Sequence, residues 1–85
     1  MAAATQIRSR RFDQKFFSLP RDIQESVQRK IDRLGTRLAD FPHYRMQGTD
    51  TYRLRAGDYR VIYQFDPANN EVFLITLGHR REVYR

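Results

Sequence analysis

The 85-residue sequence predicts an α+β domain in which two N-terminal helices pack on one face of a small antiparallel sheet. Two patterns carry that reading. Between Pro20 and Phe41 the apolar residues recur at intervals of three and four, the period of a helix with one buried stripe. From Thr51 onward they alternate with polar residues or run together, as strands do. No stretch has the composition of a linker, so residues 1–85 read as one domain with one modest core. A functional site in so short a chain is expected on the surface or in a shallow groove.

Residues Ala3 to Arg8 can form a short first strand whose one large apolar residue is Ile7. Arg11 to Ser18 carries Phe12, Phe16 and Phe17 at helical spacing, which predicts a short helix docking its aromatics on the core. Pro20 suits the first turn of a second helix, where a missing N–H costs nothing, and Asp22 and Glu25 favour the positive end of its dipole. Ile23, Val27, Ile31, Leu34 and Leu38 form its buried stripe, and Phe41-Pro42 ends it, because the residue before a proline is pushed out of helical geometry.

His43 to Asp50 is polar and reads as irregular chain. Thr51 to Arg55 then alternates, sending Tyr52 and Leu54 to the core and leaving Arg53 and Arg55 side by side on the other face. Ala56-Gly57-Asp58 predicts a tight hairpin turn. Tyr59 to Phe65 forms the next strand, with Tyr59 and Tyr63 on the face of Val61 and Phe65 and so expected to pack rather than bind. Asp66 to Asn70 supplies a compact turn. Val72 to Leu77 is almost wholly apolar, which predicts a strand inside the sheet with both faces covered.

Composition narrows the function. There are no cysteines, which excludes disulfides and thiolate metal sites and suits the cytoplasm. The order of Met1 to Arg10, alanines before Arg8 and Arg10, is unlike a secretory signal, and no apolar run is long enough for a membrane span. The formal charge is +6, and fourteen of the sixteen basic residues are arginine, whose planar fork matches phosphate oxygens. A polyanionic partner is one reading of that excess, and arginines solubilising helix surfaces are an equal one.

Common catalytic patterns are missing: the sequence has no glycine-rich phosphate loop, no serine nucleophile elbow and no metal-binding helix motif. His43 and His79 lack carboxylates at ligand spacing, so neither a metal nor another cofactor is expected. What remains is a concentration of arginine and tyrosine in the last third. Such a set can cleave RNA, because the substrate's 2′-hydroxyl is the nucleophile and the protein need only orient it, move protons and neutralise the phosphorane.

Tyr52-Arg53-Leu54-Arg55, Gly57-Asp58-Tyr59-Arg60-Val61-Ile62-Tyr63 and Gly78-His79-Arg80-Arg81-Glu82-Val83-Tyr84 resemble the RelE/ParE superfamily of bacterial toxins, and its RelE branch in particular. The likeness extends over nearly the whole chain, Leu19-Pro20 included. It implies the microbial-ribonuclease-like RelE fold and the toxin of a type II toxin–antitoxin system that cuts messenger RNA in the ribosomal A site without a metal, leaving a cyclic phosphate. By the same likeness Arg53, Arg55 and Arg60 would stabilise the phosphate and transition state, Arg80 would contact phosphate or leaving group, and Tyr84 would orient or stack a base. Arg53, Arg55, His79 and Arg81 would bind RNA.

Two departures from the family pattern stand out. Arginines occupy the positions of Arg53 and Arg55, where well-known members carry lysine, and an arginine does not give up its proton at accessible pH. The tail also ends soon after Tyr84, without the last helix of some relatives. The resemblance implies as partners a cognate antitoxin, the ribosome and messenger RNA, with operator DNA bound only through the antitoxin and no membrane. Two alternatives stand beside the nuclease: a ParE-like inhibitor of DNA gyrase, and an inactive toxin-fold module that binds antitoxin and nucleic acid.

Against these roles, Arg60 could equally be tied to Asp58 or Glu82 in an ion pair. His79 could be a plain surface histidine, Tyr84 could cap the core, and His43 reads as loop. Phe12, Phe16 and Phe17 are expected in the core.

Overall fold

The computed structural model describes residues 2–83. Five strands form one mixed sheet in the order β1-β5-β4-β3-β2. In chain order the elements are β1 (Thr5–Arg8), α1 (Arg10–Phe17), α2 (Arg21–Thr36), β2 (Tyr44–Arg45), β3 (Tyr52–Ala56), β4 (Tyr59–Asp66), β5 (Glu71–His79) and α3 (Arg80–Val83). Helices α1 and α2 pack on one face, over β5 and β3 respectively, as the α+β reading expects.

The sheet departs from a purely antiparallel one at its edge. β1 runs parallel to β5, with Thr5 opposite Glu71 and Arg8 opposite Leu74, while every other pairing is antiparallel. A strand and its parallel neighbour need a long connection between them, and here most of the chain supplies it. The segment read as irregular also contains β2, two residues that pair Tyr44 with Arg53 and Arg45 with Tyr52.

Ser9 caps α1, its Oγ accepting from the Phe12 amide at 3.0 Å, and donates in turn to the carbonyl of Ile75. That carbonyl is available because β5 bulges there: Ile62 faces Thr76 while Tyr63 faces Leu74, leaving Ile75 as the extra residue. Phe12 and Phe16 are buried, four residues apart on one helical face. Phe17 falls off that face and is 65% exposed, so it does not belong to the core. The Arg8 guanidinium lies 4.6 Å from the Phe16 ring centroid and its Nε pairs with Asp13 at 2.6 Å.

Along α2 the stripe closes as its spacing requires, with Val27, Ile31 and Leu34 fully buried. The helix stops at Thr36, earlier than the proline signal at Pro42 implies. Gly35 and Thr36 are weak helix formers, and the Ala4 amide takes the Gly35 carbonyl at 3.0 Å, satisfying a helix-end acceptor from outside. Leu38 remains buried although it lies past the helix.

Gly57, with φ 61°, turns β3 into β4 through a two-residue loop. The alternation of β3 is as the sequence predicts: Leu54 and Ala56 are buried, Arg53 and Arg55 exposed. On β4, Val61 and Tyr63 are both fully buried beneath the helices. β5 lies between β1 and β4, inside the sheet.

His43 is not simple loop. Its Nε2 lies 2.8 Å from the Leu38 carbonyl, which can only accept, so Nε2 bears the proton and Nδ1 accepts from the Tyr63 hydroxyl at 2.6 Å. The imidazole stacks on Phe65 with centroids 3.8 Å apart. Burial, with Tyr52 nearby as a smaller cause, pushes the Tyr63 phenol far above its ordinary range, so it stays neutral.

The tail folds into α3, a single turn absent from the sequence reading, and packs on β4 and β5. Gly78 makes this possible, since a Cβ there would meet Val83 Cγ2 at 3.0 Å. Gly78 pairs with Arg60, so α3 lies across the face opposite α1 and α2. Tyr84 lies outside the described residues. No helix among the described residues is long and apolar enough to cross a membrane.

Candidate nucleic-acid interface

Because β2 reaches only Tyr52 and Arg53, the rest of β3 is left as an open edge. Between that edge and α2 runs a groove of about 690 Å³. Its sheet side presents Arg53, Arg55 and Arg60, and its helix side presents Lys30, Arg33 and Arg37. Among the described residues no carboxylate lines it. Tyr44, which pairs with β3 at its Arg53 end, lines it together with Phe41 and Pro42.

The three sheet arginines are not equivalent. Arg53 and Arg55 are exposed, whereas Arg60 is 6% exposed and donates from Nη1 to the carbonyls of Gly57 at 2.8 Å and Tyr59 at 2.9 Å. Arg60 therefore braces the β3–β4 turn, and among the described residues no ion pair joins it to Asp58 or Glu82. Arg55 stands directly across from Arg60 in the ladder. Like charges in that relation destabilise a sheet by roughly 0.2–1 kcal/mol, a cost that a bound anion would reverse. Arg53 has Tyr44 as its cross-strand partner, its guanidinium carbon 6.0 Å from the ring centroid.

Of the other sequence-predicted residues, His79, Arg80 and Arg81 do not line this groove, and Tyr84 lies outside the described residues. His79 pairs with Tyr59 across the ladder and faces the helix side, the two ring centroids 5.7 Å apart, in a smaller hollow of about 200 Å³ with Lys15, Leu19 and Glu82. Its Nδ1 accepts from the Arg81 amide at 3.3 Å. Arg80 and Arg81 are exposed on α3 and line neither cavity, and the Arg80 amide donates to the Asp58 carbonyl at 2.8 Å. Of the four arginines expected to act together, the groove thus gathers Arg53, Arg55 and Arg60.

Sequence reasoning missed the helix wall and Tyr44. Lys30, Arg33 and Arg37 are spaced by three and four, so they share a helical face beside the apolar stripe, and that cationic row was open to the same periodicity test. Arg37 also approaches Asp40, at 3.8 Å on the surface. Tyr44, 59% exposed, has no comparable signal, since its place depends on the pairing of a two-residue strand.

An open groove with six cations, an exposed aromatic and, among the described residues, no carboxylate in its lining is suited to a single-stranded polyanion. No curated protein matches the sequence. Among solved structures the fold is similar to that of the toxin in an archaeal RelE–RelB complex from Pyrococcus horikoshii (24% identity, TM-score 0.77, 95% of this chain and 99% of that one). It is also similar to a chain of the RelBE2 toxin–antitoxin complex from Mycobacterium tuberculosis (21%, 0.78, 96% and 97%). The isolated Escherichia coli RelE toxin matches at 24% identity and a TM-score of 0.75, over 96% of this chain and 92% of that one. The family model for the ParE toxin of type II toxin–antitoxin systems matches residues 7–84. With that match across nearly its full length and the RelE fold beneath it, the chain belongs to the ParE toxin family, within the RelE/ParE superfamily of type II toxin–antitoxin systems.

Proposed function

We propose that this toxin is a metal-independent endoribonuclease that holds messenger RNA in the basic groove and cuts it in the ribosomal A site. The observation that carries the reading is the convergence of Arg53, Arg55 and Arg60 with Lys30, Arg33 and Arg37 on one groove, which no carboxylate of the described residues lines. In the proposed reaction the 2′-oxygen attacks the adjacent phosphorus, the bond to the 5′-oxygen breaks, and the products are a 2′,3′-cyclic phosphate and a free 5′-hydroxyl. Charge gathers on the phosphorane oxygens, and a guanidinium aimed there contributes about 3 kcal/mol in the transition state. Guanidinium groups keep their protons at accessible pH, so Arg53, Arg55 and Arg60 act as stabilisers; the 2′-hydroxyl proton passes to solvent water, and a proton from solvent is taken up by the leaving 5′-oxygen.

In this reading Arg80 and Arg81 contact RNA phosphates from α3, Tyr84 stacks or orients a base, and His79 serves the outer RNA path. The toxin acts in the cytoplasm, and a cognate antitoxin silences it. RelE structures solved with the antitoxin RelB support such a partner. A basic groove is most readily masked by an extended acidic segment laid along it.

Purified toxin is expected to cut mRNA on programmed ribosomes at the A-site codon and to fail on the same message carrying a 2′-deoxynucleotide at the cleaved position. Arg55→Ala should lower cleavage on the order of 100-fold or more. Cutting of the deoxy message would overturn the 2′-hydroxyl mechanism. Intact mRNA together with blocked gyrase supercoiling would select the gyrase-directed alternative, and neither effect would select the inactive binding module.

A further inference from the structure

We infer that Tyr44 is a base-stacking shelf in the groove, which takes the nucleobase next to a phosphate held by Arg53. The inference rests on the RNA-binding reading above and adds to it a specific subsite for an unpaired base.

Four observations lead to it. Tyr44 is a large aromatic left 59% exposed, although the chain buries Tyr63 completely two strands further in. Its backbone is fixed: β2 is held against β3 by the Tyr44–Arg53 and Arg45–Tyr52 pairs, and the following turn is closed by Met46 N–H to the Thr51 carbonyl at 2.9 Å. The neighbouring Arg45 is tied away by its Nε donating to the Thr49 carbonyl at 2.7 Å, so alternation leaves Tyr44 the β2 side chain that lines the groove. Finally, Arg53 serves both functions at once, since its guanidinium lies 6.0 Å from the Tyr44 centroid and also lines the groove.

A phosphate drawn to Arg53 therefore arrives beside the Tyr44 ring. A ring braced by a cation on one side offers its π-face to a base on the other, a contact worth roughly 1–3 kcal/mol and tolerant of base identity because every base has a π-face. Purines, with the larger face, are expected to bind best. The packing of Tyr44 is too slight for its loss to unfold the domain, which makes the role separable from stability.

The test is equilibrium binding of short single-stranded RNAs, each with 2-aminopurine at one position, to the wild-type, Tyr44→Phe and Tyr44→Leu proteins, with thermal melting as a fold control. For wild type and Tyr44→Phe, fluorescence at one position should be quenched on binding. Tyr44→Leu should lose that quenching and bind roughly 5- to 150-fold more weakly, the fold-change equivalent to about 1–3 kcal/mol. Its salt dependence should match wild type, whereas Arg53→Ala should flatten the log–log slope by about 0.7, one phosphate contact on a single strand. Wild-type binding without quenching at any position, or a Tyr44→Leu protein that binds and quenches like wild type, overturns the shelf and leaves the groove reading intact. A wild-type protein that binds none of these RNAs at low salt overturns both.

Discussion

The β3–β4 hairpin has two faces with opposite construction. Beneath α1 and α2 lie Leu54, Val61 and Tyr63, buried and mutually packed, with the one polar group among them, the Tyr63 hydroxyl, matched to His43. On the other face stand Arg53, Arg55 and Arg60, where two cations oppose each other across the ladder and no carboxylate of the described residues lines the groove beside them. The first face minimises the free energy of the folded chain. The second leaves charge unneutralised, which is favourable only when something anionic arrives. Function and stability are thus separated by a single alternation of side chains.

The sharpest way to break that division is to truncate neighbours that point in opposite directions. Val61→Ala, on the strand beside Leu54 and outside the groove lining, should cost about 2 kcal/mol, through lost burial and the cavity left behind. In a domain of this size each kcal/mol lowers Tm by roughly 4–8 °C, so the melting curve reads it directly. RNA affinity per folded molecule should hold. Arg55→Ala should do the reverse, lowering RNA affinity while leaving Tm level or slightly raised, because its repulsion with Arg60 disappears. If both variants lose stability equally, or both lose RNA binding equally, the two faces are not separate systems.

The Tyr63–His43 pair offers a smaller effect on the packed face. Tyr63→Phe removes the donor to His43 Nδ1 and strands a half-buried acceptor, at about 1 kcal/mol. It should also change the alkaline limb of stability. The folded phenol is held above its ordinary pKa, so past roughly pH 10 the unfolded chain ionises there while the folded one does not. The unfolded state then binds fewer protons, and stability falls as pH rises. Chemical denaturation between neutral pH and pH 11 should show a steeper decline for wild type than for Tyr63→Phe. Parallel profiles would mean that the phenol ionises freely in the fold.

Periodicity made much of this legible. The apolar stripe of α2 and the alternation of β3 each follow from one repeat in the sequence, and together they put Arg53 and Arg55 on the face away from the core. What escaped depended on contacts between distant segments. Ala4 ends α2 by taking the Gly35 carbonyl, β1 finds a parallel partner in β5, each pair 66 residues apart in sequence, and α3 seats itself on Gly78, where a missing Cβ leaves room. The same holds for the groove: its sheet wall was read from alternation, while its helix wall required knowing which face of α2 turns toward β3. His43 shows the converse, a polar residue in apparent loop whose importance lies in two partners, Leu38 and Tyr63.

The smallest expected effect tests whether a charge outside the groove behaves as the groove charges do not. Asp66 closes the β4–β5 turn, its Oδ1 accepting from the Ala68 amide at 3.0 Å and its Oδ2 from the Asn69 side chain at 2.7 Å. Those hydrogen bonds, the Asn69 side chain's foremost, favour the carboxylate and lower its pKa. A depressed carboxyl contributes stability that is complete above its unfolded pKa, near 3.9, and is lost as pH falls through the folded value. Asp66→Asn keeps an acceptor for the turn but has no charge to lose. The wild-type advantage in Tm over Asp66→Asn should therefore be present at pH 6 and shrink on acidification toward pH 3, with RNA affinity unchanged at neutral pH. A gap that stays constant across that range would show that the turn is held by the shape of the side chain and not by its charge. Asp66 would then no longer serve as the example of a charge satisfied locally, against which the open arginines of the groove are defined.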